Sequence, residues 1–163
     1  MNRATALTPE PVERRELEVV RAPETEGDAW QGVQRVPPGR VAARRRGNIV
    51  VLDVADVWAF EARERLCFVH AASGRFDVDL SLQQLARDLG SRFVRSHRNW
   101  ISNVANIREY RTEHGWHALL VGRPGATTPH DAVEVPVSRE YAVQVRARLL
   151  AGTVGFRSRR RAQ

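Results

Sequence analysis

Arginine supplies every basic side chain in this sequence. The 163 residues contain 26 arginines, no lysine and 19 acidic residues, which gives a formal net charge of +7. The planar guanidinium pairs bidentately with phosphate and with guanine, which the ammonium of lysine cannot do. Because an all-arginine chain can also reflect genomic base composition, the positions of the arginines are more informative than their number.

The basic excess lies at the two ends of the chain. Residues 1–46 carry nine arginines against seven acids, and residues 151–163 carry four against none. The central residues 47–150 carry thirteen against twelve and are close to neutral. If the chain binds nucleic acid, a few well-placed arginines must make the contacts, with help from the basic ends.

Other reactive residues do not form a catalytic or metal-binding pattern. Cys67 lies within an apolar run that predicts a buried strand, which is a poor position for a nucleophile. His114, His117 and His130 lack accompanying cysteines or acids at the spacing of a zinc site. Gly122–Gly125 lacks the spacing and the lysine of a phosphate-binding loop. We therefore expect no enzymatic activity, no metal and no cofactor.

The cellular setting also follows from what the chain lacks. With one cysteine there can be no intrachain disulfide, which suits a reducing compartment. No secretory signal follows Met1, and no apolar run approaches the roughly 18 residues that span a bilayer. The sequence predicts a cytoplasmic protein without a membrane segment.

Residues 47–150 predict a mainly β domain with two short helices. Runs of β-branched and aromatic residues, several of them alternating with polar ones, predict eight or so strands beginning at Asn48. Ser81 and Gln84 form a capping box for a helix that ends at Gly90. Ser138 is predicted to cap a second helix with its side chain. In that helix apolar residues recur at every fourth position, at Tyr141, Val145 and Leu149.

The flanking segments are predicted to lie outside this domain. Five prolines and mixed charges indicate a poorly ordered extension over residues 1–46. Its last residues, including Arg44, Arg45 and Arg46, form a basic arm directly before the first predicted strand. Residues 151–163 are predicted to be a basic tail.

Several motifs in this domain resemble, in order and spacing, those of the LytTR family of DNA-binding domains. They are Phe60-Glu61-Ala62, His70, Ser81-Leu82, the run Phe93-Val94-Arg95-Ser96-His97-Arg98-Asn99-Trp100-Ile101-Ser102-Asn103, and Val135-Pro136-Val137-Ser138-Arg139-Glu140-Tyr141. The likeness covers about 100 residues. Asn99 stands where the family usually has serine, and both side chains donate and accept hydrogen bonds. Many members carry a receiver domain of about 120 residues before this one, for which 46 residues are too few.

The resemblance implies sequence-specific binding of double-stranded DNA by a transcription regulator. Members of the family insert residues from loops and strand ends into two successive major grooves, and the matching positions here are Arg65, Arg98 and Arg139. Arg63 is an alternative to Arg65. The supporting or phosphate-binding candidates are Arg95, His97, Asn99, Ser138 and the arm Arg44–Arg46, although His97 fits a structural role equally well. A second protomer on an adjacent DNA repeat is also implied.

Two other binding functions compete with this hypothesis. A protein-interaction module could keep the fold and act by docking to another regulator, but it would have no reason to keep arginine at three groove-inserting positions. An RNA-binding domain would need exposed aromatic rings on a sheet face. Phe60, Phe68 and Phe76 are instead predicted to be core residues.

Overall fold

The computed structural model describes residues 38–126, 128 and 130–155. These residues form ten strands and two α-helices, which confirms the predicted mainly β class. In chain order the elements are β1 (Arg40–Arg45), β2 (Asn48–Asp53), β3 (Val57–Arg63), β4 (Leu66–Ala71), β5 (Gly74–Val78), α1 (Leu82–Leu89), β6 (Phe93–His97), β7 (Trp100–Asn103), β8 (Ile107–Glu113), β9 (Trp116–Gly122), β10 (Ala132–Val137) and α2 (Arg139–Ala151).

The strands form two antiparallel sheets. Seven strands make the larger sheet in the order β2-β1-β5-β4-β3-β7-β6, and β10-β9-β8 make the smaller one. Most neighbouring strands are joined by short turns, so pairing is mainly local. One backbone hydrogen bond, from Ser138 N to Ser96 O at 2.9 Å, ties the end of β10 to β6 of the larger sheet.

Strand β3 separates two hydrophobic cores. Val57 and Phe60 pack with α1 and with β1, β2, β4 and β5 on one side. Trp58 and Ala59 pack with α2 and the smaller sheet on the other side. Both faces of β3 are therefore buried, which explains why its apolar residues run without alternation.

The two predicted helices are confirmed. Helix α1 begins after Ser81, whose hydroxyl accepts from Gln84 N while the Gln84 side chain accepts from Ser81 N, so the capping box is complete. In α2, Tyr141, Val145 and Leu149 face the second core, as their spacing predicts. No helix in the described part of the chain is long and apolar enough to cross a bilayer.

Strand β1 requires a correction to the predicted domain boundary. Arg40–Arg45, expected to belong to a poorly ordered arm, pair residue by residue with β2. Val41 and Ala43 enter the core between arginines that face outward. Inward and outward residues alternate along this strand as in any half-buried strand, but the arginines make the segment resemble a basic arm. Arg46 and Gly47, both with positive φ, make the tight turn into β2. Residues 1–37 and 156–163 lie outside the described residues.

Cys67 is buried in β4, as its apolar neighbours predict. Its side chain belongs to the first core, with 7% of the residue exposed. Burial raises the pKa of the thiol to about 11, since the thiolate would lose its hydration there.

Candidate nucleic-acid interface

The turn between β3 and β4 presents the first candidate arginine. Glu64 and Arg65 both have left-handed backbones, with φ values of 52° and 68°. This turn matches the right-handed twist of the flanking strands and lifts Arg65 beyond their ends. Arg65 is exposed, and so is Arg63, whose Nε lies 3.6 Å from the Glu64 carboxylate. Both arginines are thus available at this turn.

The turn between β6 and β7 presents the second. Arg98 and Asn99 form its exposed tip, whereas Arg95 and His97 serve to hold it. Arg95 donates from Nη2 to the Arg98 carbonyl, and His97 Nδ1 accepts from Asn99 N at 3.2 Å. Burial and the nearby Arg98 and Arg95 cations lower the pKa of His97, which keeps the ring neutral and able to accept this bond.

The third arginine begins helix α2. Ser138 occupies the N-cap position with extended backbone, and Arg139 is exposed in the first turn. The predicted side-chain cap is absent, because the buried Ser138 Oγ makes no hydrogen bond within the described structure. The serine instead anchors the helix start through its backbone bond to Ser96.

Backbone contacts bring these three places to one end of the molecule. Ala62 N donates to Asn99 O at 2.8 Å, which sets the β6–β7 turn beside the end of β3. The Ser138–Ser96 bond sets the start of α2 beside the end of β6. Two strand spacings, roughly 10 Å, separate the β3–β4 turn from the β6–β7 turn. We call this end, formed by residues 63–66, 97–100 and 138–139, the arginine end.

Three guanidinium groups of the arginine end have no acidic partner among the described residues, whereas that of Arg63 lies beside Glu64. Among the described residues, Arg65, Arg98 and Arg139 form no ion pair. Four described arginines elsewhere do form one, namely Arg44, Arg75, Arg87 and Arg111. A guanidinium without an acidic partner retains all its donors for a phosphate or a base edge.

The arm Arg44–Arg46 is not part of the arginine end. Strand β5 runs toward the β3–β4 turn, and β1 runs antiparallel to it, so the chain moves away from that turn along β1. Arg44 is paired with Asp79 at 2.8 Å, and the Arg45 guanidinium lies 5.8 Å from the centre of the Phe76 ring. A role for this arm in phosphate binding remains a prediction.

A cluster behind the β6–β7 turn was not identified as functional from the sequence. His70 Nε2 lies 3.0 Å from Glu61 Oε2, and the His70 ring lies 5.2 Å from that of Trp100, the residue that follows the turn. Arg75 reaches the same carboxylate at 3.4 Å. Glu61 and Trp100 are cross-strand neighbours. The resemblance includes the motifs that contain Glu61 and His70, so the sequence marks these residues. Only the strand register shows that their side chains lie behind Trp100 and support the turn.

The β8–β9 turn also lies close to the arginine end. His117 pairs with Val137, the residue before Ser138, so β9 begins beside the start of α2. Trp116 is 52% exposed there. The sequence predicts this turn at Glu113–Gly115, but its position depends on the pairing of β9 with β10, which no local pattern specifies.

The described residues contain no cluster of three or more histidine, cysteine or acidic side chains arranged to hold a metal ion. Apart from the Glu64 carboxylate beside Arg63, the polar groups at the arginine end are hydrogen-bond donors, backbone carbonyls and one neutral imidazole. Such a set suits the binding of an anionic surface.

Comparison with known proteins agrees with this geometry. The LytTr DNA-binding domain family matches residues 47–150. Among solved structures, a LytTr DNA-binding domain from Bacillus cereus superposes with a TM-score of 0.59 at 24% identity, covering 69% of this chain and 97% of that one. No curated protein matches the chain. Since the family match spans most of the chain and the folds agree, the chain belongs to the LytTR family of DNA-binding domains.

Proposed function

We propose that this chain is a transcription regulator of the cytoplasm that reads a specific duplex sequence with its arginine end. Membership of the LytTR family implies DNA binding in transcription regulation. The observation that carries the finer proposal is that Arg65, Arg98 and Arg139, all exposed and without an ion pair among the described residues, lie on two neighbouring turns and on the helix start beside them. A rigid sheet holds such turns at fixed spacing, which recognition of a base sequence requires.

Arg98 and Arg139 contact base edges in this proposal, together with Arg65 or Arg63 from the first turn. Each bidentate pair with guanine discriminates against the wrong base by roughly 1–3 kcal/mol. Asn99 is exposed beside Arg98 and can bond a base or a phosphate. The free N–H groups at the start of α2, beside Ser138, suit a phosphate.

Arg95 and His97 have a different role. Both make hydrogen bonds within the β6–β7 turn, and they fix the direction in which Arg98 leaves the sheet. Two protomers on adjacent repeats would place two such arginine ends along one duplex, in successive major grooves.

The test is selection of genomic fragments from a random pool by the purified chain. We expect the wild type to enrich a motif of two short repeats about one helical turn apart, and the Arg98→Ala, Arg139→Ala double variant to lose that enrichment. The matched control is Arg87→Ala, which removes an exposed arginine on α1 that already pairs with Asp88.

Weak binding without a motif, equal in the wild type and the double variant, would contradict base recognition by the arginine end. The interaction-module hypothesis would then take its place, and partners would be sought by cross-linking.

A further inference from the structure

Strand β2 leaves one edge of the larger sheet open. It is the first strand in the sheet order and pairs only with β1 among the described residues. Its outer edge therefore presents unpaired backbone donors and acceptors, which is the usual starting point for pairing with another chain.

The turn geometry identifies the open groups. Arg46 and Gly47 have φ values of 49° and 83°, as in a two-residue type I′ turn, so the flanking pair Arg45 and Asn48 exchanges both hydrogen bonds. Pairing alternates from there along the strand. Val50 and Leu52 thus bond to β1, whereas the N–H and C=O groups of Ile49, Val51 and Asp53 point outward.

This edge lacks the usual protection against association. Strand β8, at the edge of the smaller sheet, carries charges that oppose pairing with another strand, since Ile107–Glu113 includes two arginines and two glutamates. Asn48–Asp53 contains one charged residue, at its last position, and no proline. Natural sheets blunt exposed edges with charge, proline or bulges, so an unguarded edge indicates a partner.

The side chains beside the open groups are apolar and exposed. Ile49 is 76% exposed and Val51 57% exposed, although both are β-branched residues on the same sheet face. Ala42, the cross-strand neighbour of Val51, extends this strip onto β1. Apolar side chains next to free backbone groups suit a further β-strand and not a hydrophilic ligand.

We propose that the outer edge of β2 pairs antiparallel with β2 of a second copy of this chain, about a two-fold axis at Val51. In that register the outward groups of Val51 face their own symmetry mates, and those of Ile49 face Asp53. Every outward donor on one copy then meets an acceptor on the other, which makes the interface closed and self-complementary. This inference is independent of the proposed DNA recognition.

The charges on the same face are compatible with this register. Arg44 is the cross-strand neighbour of Ile49, and Arg40 is that of Asp53. Across the axis, Val51 faces Val51 of the second copy, with Ala42 next to each of them on β1. Ile49 faces Asp53 of the second copy. No like charges become direct neighbours, and the apolar strip lies at the centre with arginines at its rim, as in stable interfaces.

In the proposed register Val51 faces only Val51 of the second copy, and the test uses this symmetry. We expect the full-length wild type to sediment as a dimer, and Val51→Lys and Val51→Glu each to sediment with about half that mass, because like charges would meet at the axis. Mixing the two variants in equal amounts should restore the dimer, since lysine then faces glutamate. Val143→Lys, a charge introduced at an 80% exposed position on α2, is the control and should leave the dimer intact.

A second variant keeps the test independent of folding defects. Directly opposed residues of such a pair lie about 5.5 Å apart between Cα atoms, within disulfide range. Val51→Cys should therefore cross-link under mild oxidation, while Val143→Cys and the wild type, whose Cys67 is buried, should not. A monomeric wild type, or a mixture of charge variants that stays monomeric, would overturn the proposal.

Discussion

Asn103 shows how one buried amide joins distant parts of the chain. It is 3% exposed, and its Nδ2 donates to Val54 O at 3.0 Å and Val57 O at 2.8 Å. Its Oδ1 accepts from Ala105 N at 3.1 Å. It lies at the other end of β7 from the arginine end.

Asn103→Ala should lower the free energy of unfolding by about 3 kcal/mol, because several buried backbone groups lose their partner at roughly 1–3 kcal/mol each. Urea denaturation followed by tryptophan fluorescence measures the change. Asn99→Ala, at an exposed turn, is the control and should shift the unfolding free energy by less than about 0.5 kcal/mol. A loss under 1 kcal/mol in Asn103→Ala would show that water replaces the amide.

His70 is one residue through which pH acts on stability. Burial lowers its pKa, and this effect outweighs the hydrogen bond to Glu61, which acts in the opposite direction. The folded chain therefore binds a proton less readily than the unfolded chain, whose histidines titrate near 6.5. Stability contributed by neutral His70 is complete above that pH and falls as the pH decreases below it. His97, whose pKa is also lowered, acts in the same direction.

We expect the unfolding free energy to decrease between pH 7 and pH 5.5, and His70→Gln to flatten this dependence. Urea midpoints measured at several pH values test this. His114→Asn, an exposed histidine in the left-handed β8–β9 turn, should keep the wild-type dependence. A stability that rises on acidification would show that the ion pair with Glu61 dominates and that the assigned cause is wrong.

At the scale of elements, the two helices begin with the same residue type in different ways. Ser81 completes a capping box on α1, whereas Ser138 makes no side-chain bond at the start of α2. The short helix α1 depends on its cap, while α2 is held by the Ser138–Ser96 backbone bond and by Val145 in the core.

Ser81→Ala should therefore cost about 1 kcal/mol of unfolding free energy, the typical value of an N-cap. Ser138→Ala should cost less than about 0.5 kcal/mol, because no cap bond is lost. Because Ser138→Ala removes only a buried Oγ and keeps the N–H groups at the helix start, DNA binding should also be unchanged, which gel-shift titration beside urea denaturation checks. Equal stability losses in the two variants would contradict the structural difference.

The sequence predicts elements well where local rules act alone. The capping box specifies α1, and alternation specifies β5 and β10. Strand β1 is not predicted from the sequence, because two of its three outward positions, Arg40 and Arg44, are arginines and the segment therefore resembles a basic arm. The inward Val41 and Ala43 carry the true signal, and the Arg46-Gly47 turn completes it.

At the scale of the whole molecule, the sheet topology separates the arginine end from the Arg45–Arg46 turn. The arginine end projects beyond the sheet, and the Arg45–Arg46 turn lies away from it along β1. Each phosphate neutralised adds close to 0.9 to the slope of log affinity against log salt.

Arg45→Gln, Arg46→Gln should therefore leave the salt slope of specific binding unchanged within about half a unit. Titrations at several salt concentrations, compared with Arg87→Gln, measure it. A decrease of nearly two units in the salt slope would show that this turn contacts phosphate, which is the role that the sequence predicts for Arg44–Arg46.

The candidate site is predictable in its members but not in its arrangement. Arg65, Arg98 and Arg139 come from the resemblance of motifs scattered over more than 70 positions. Their proximity depends on two backbone hydrogen bonds, Ala62–Asn99 and Ser138–Ser96, between residues distant in sequence. Such contacts arise from sheet register, which depends on how whole faces pack. For the same reason, the support that His70 gives Trp100 could not be anticipated.

Because Cys67 is buried, its rate of reaction with thiol reagents reports how often the domain opens around β4. Since the thiol is enclosed and its pKa is raised to about 11, thiol-reactive dyes reach it only when β4 separates from the core. Because this is the only cysteine in the sequence, the labelling rate in native buffer gives the free energy of that opening without any substitution. Addition of the cognate DNA should slow that labelling and so measure how far binding tightens the domain.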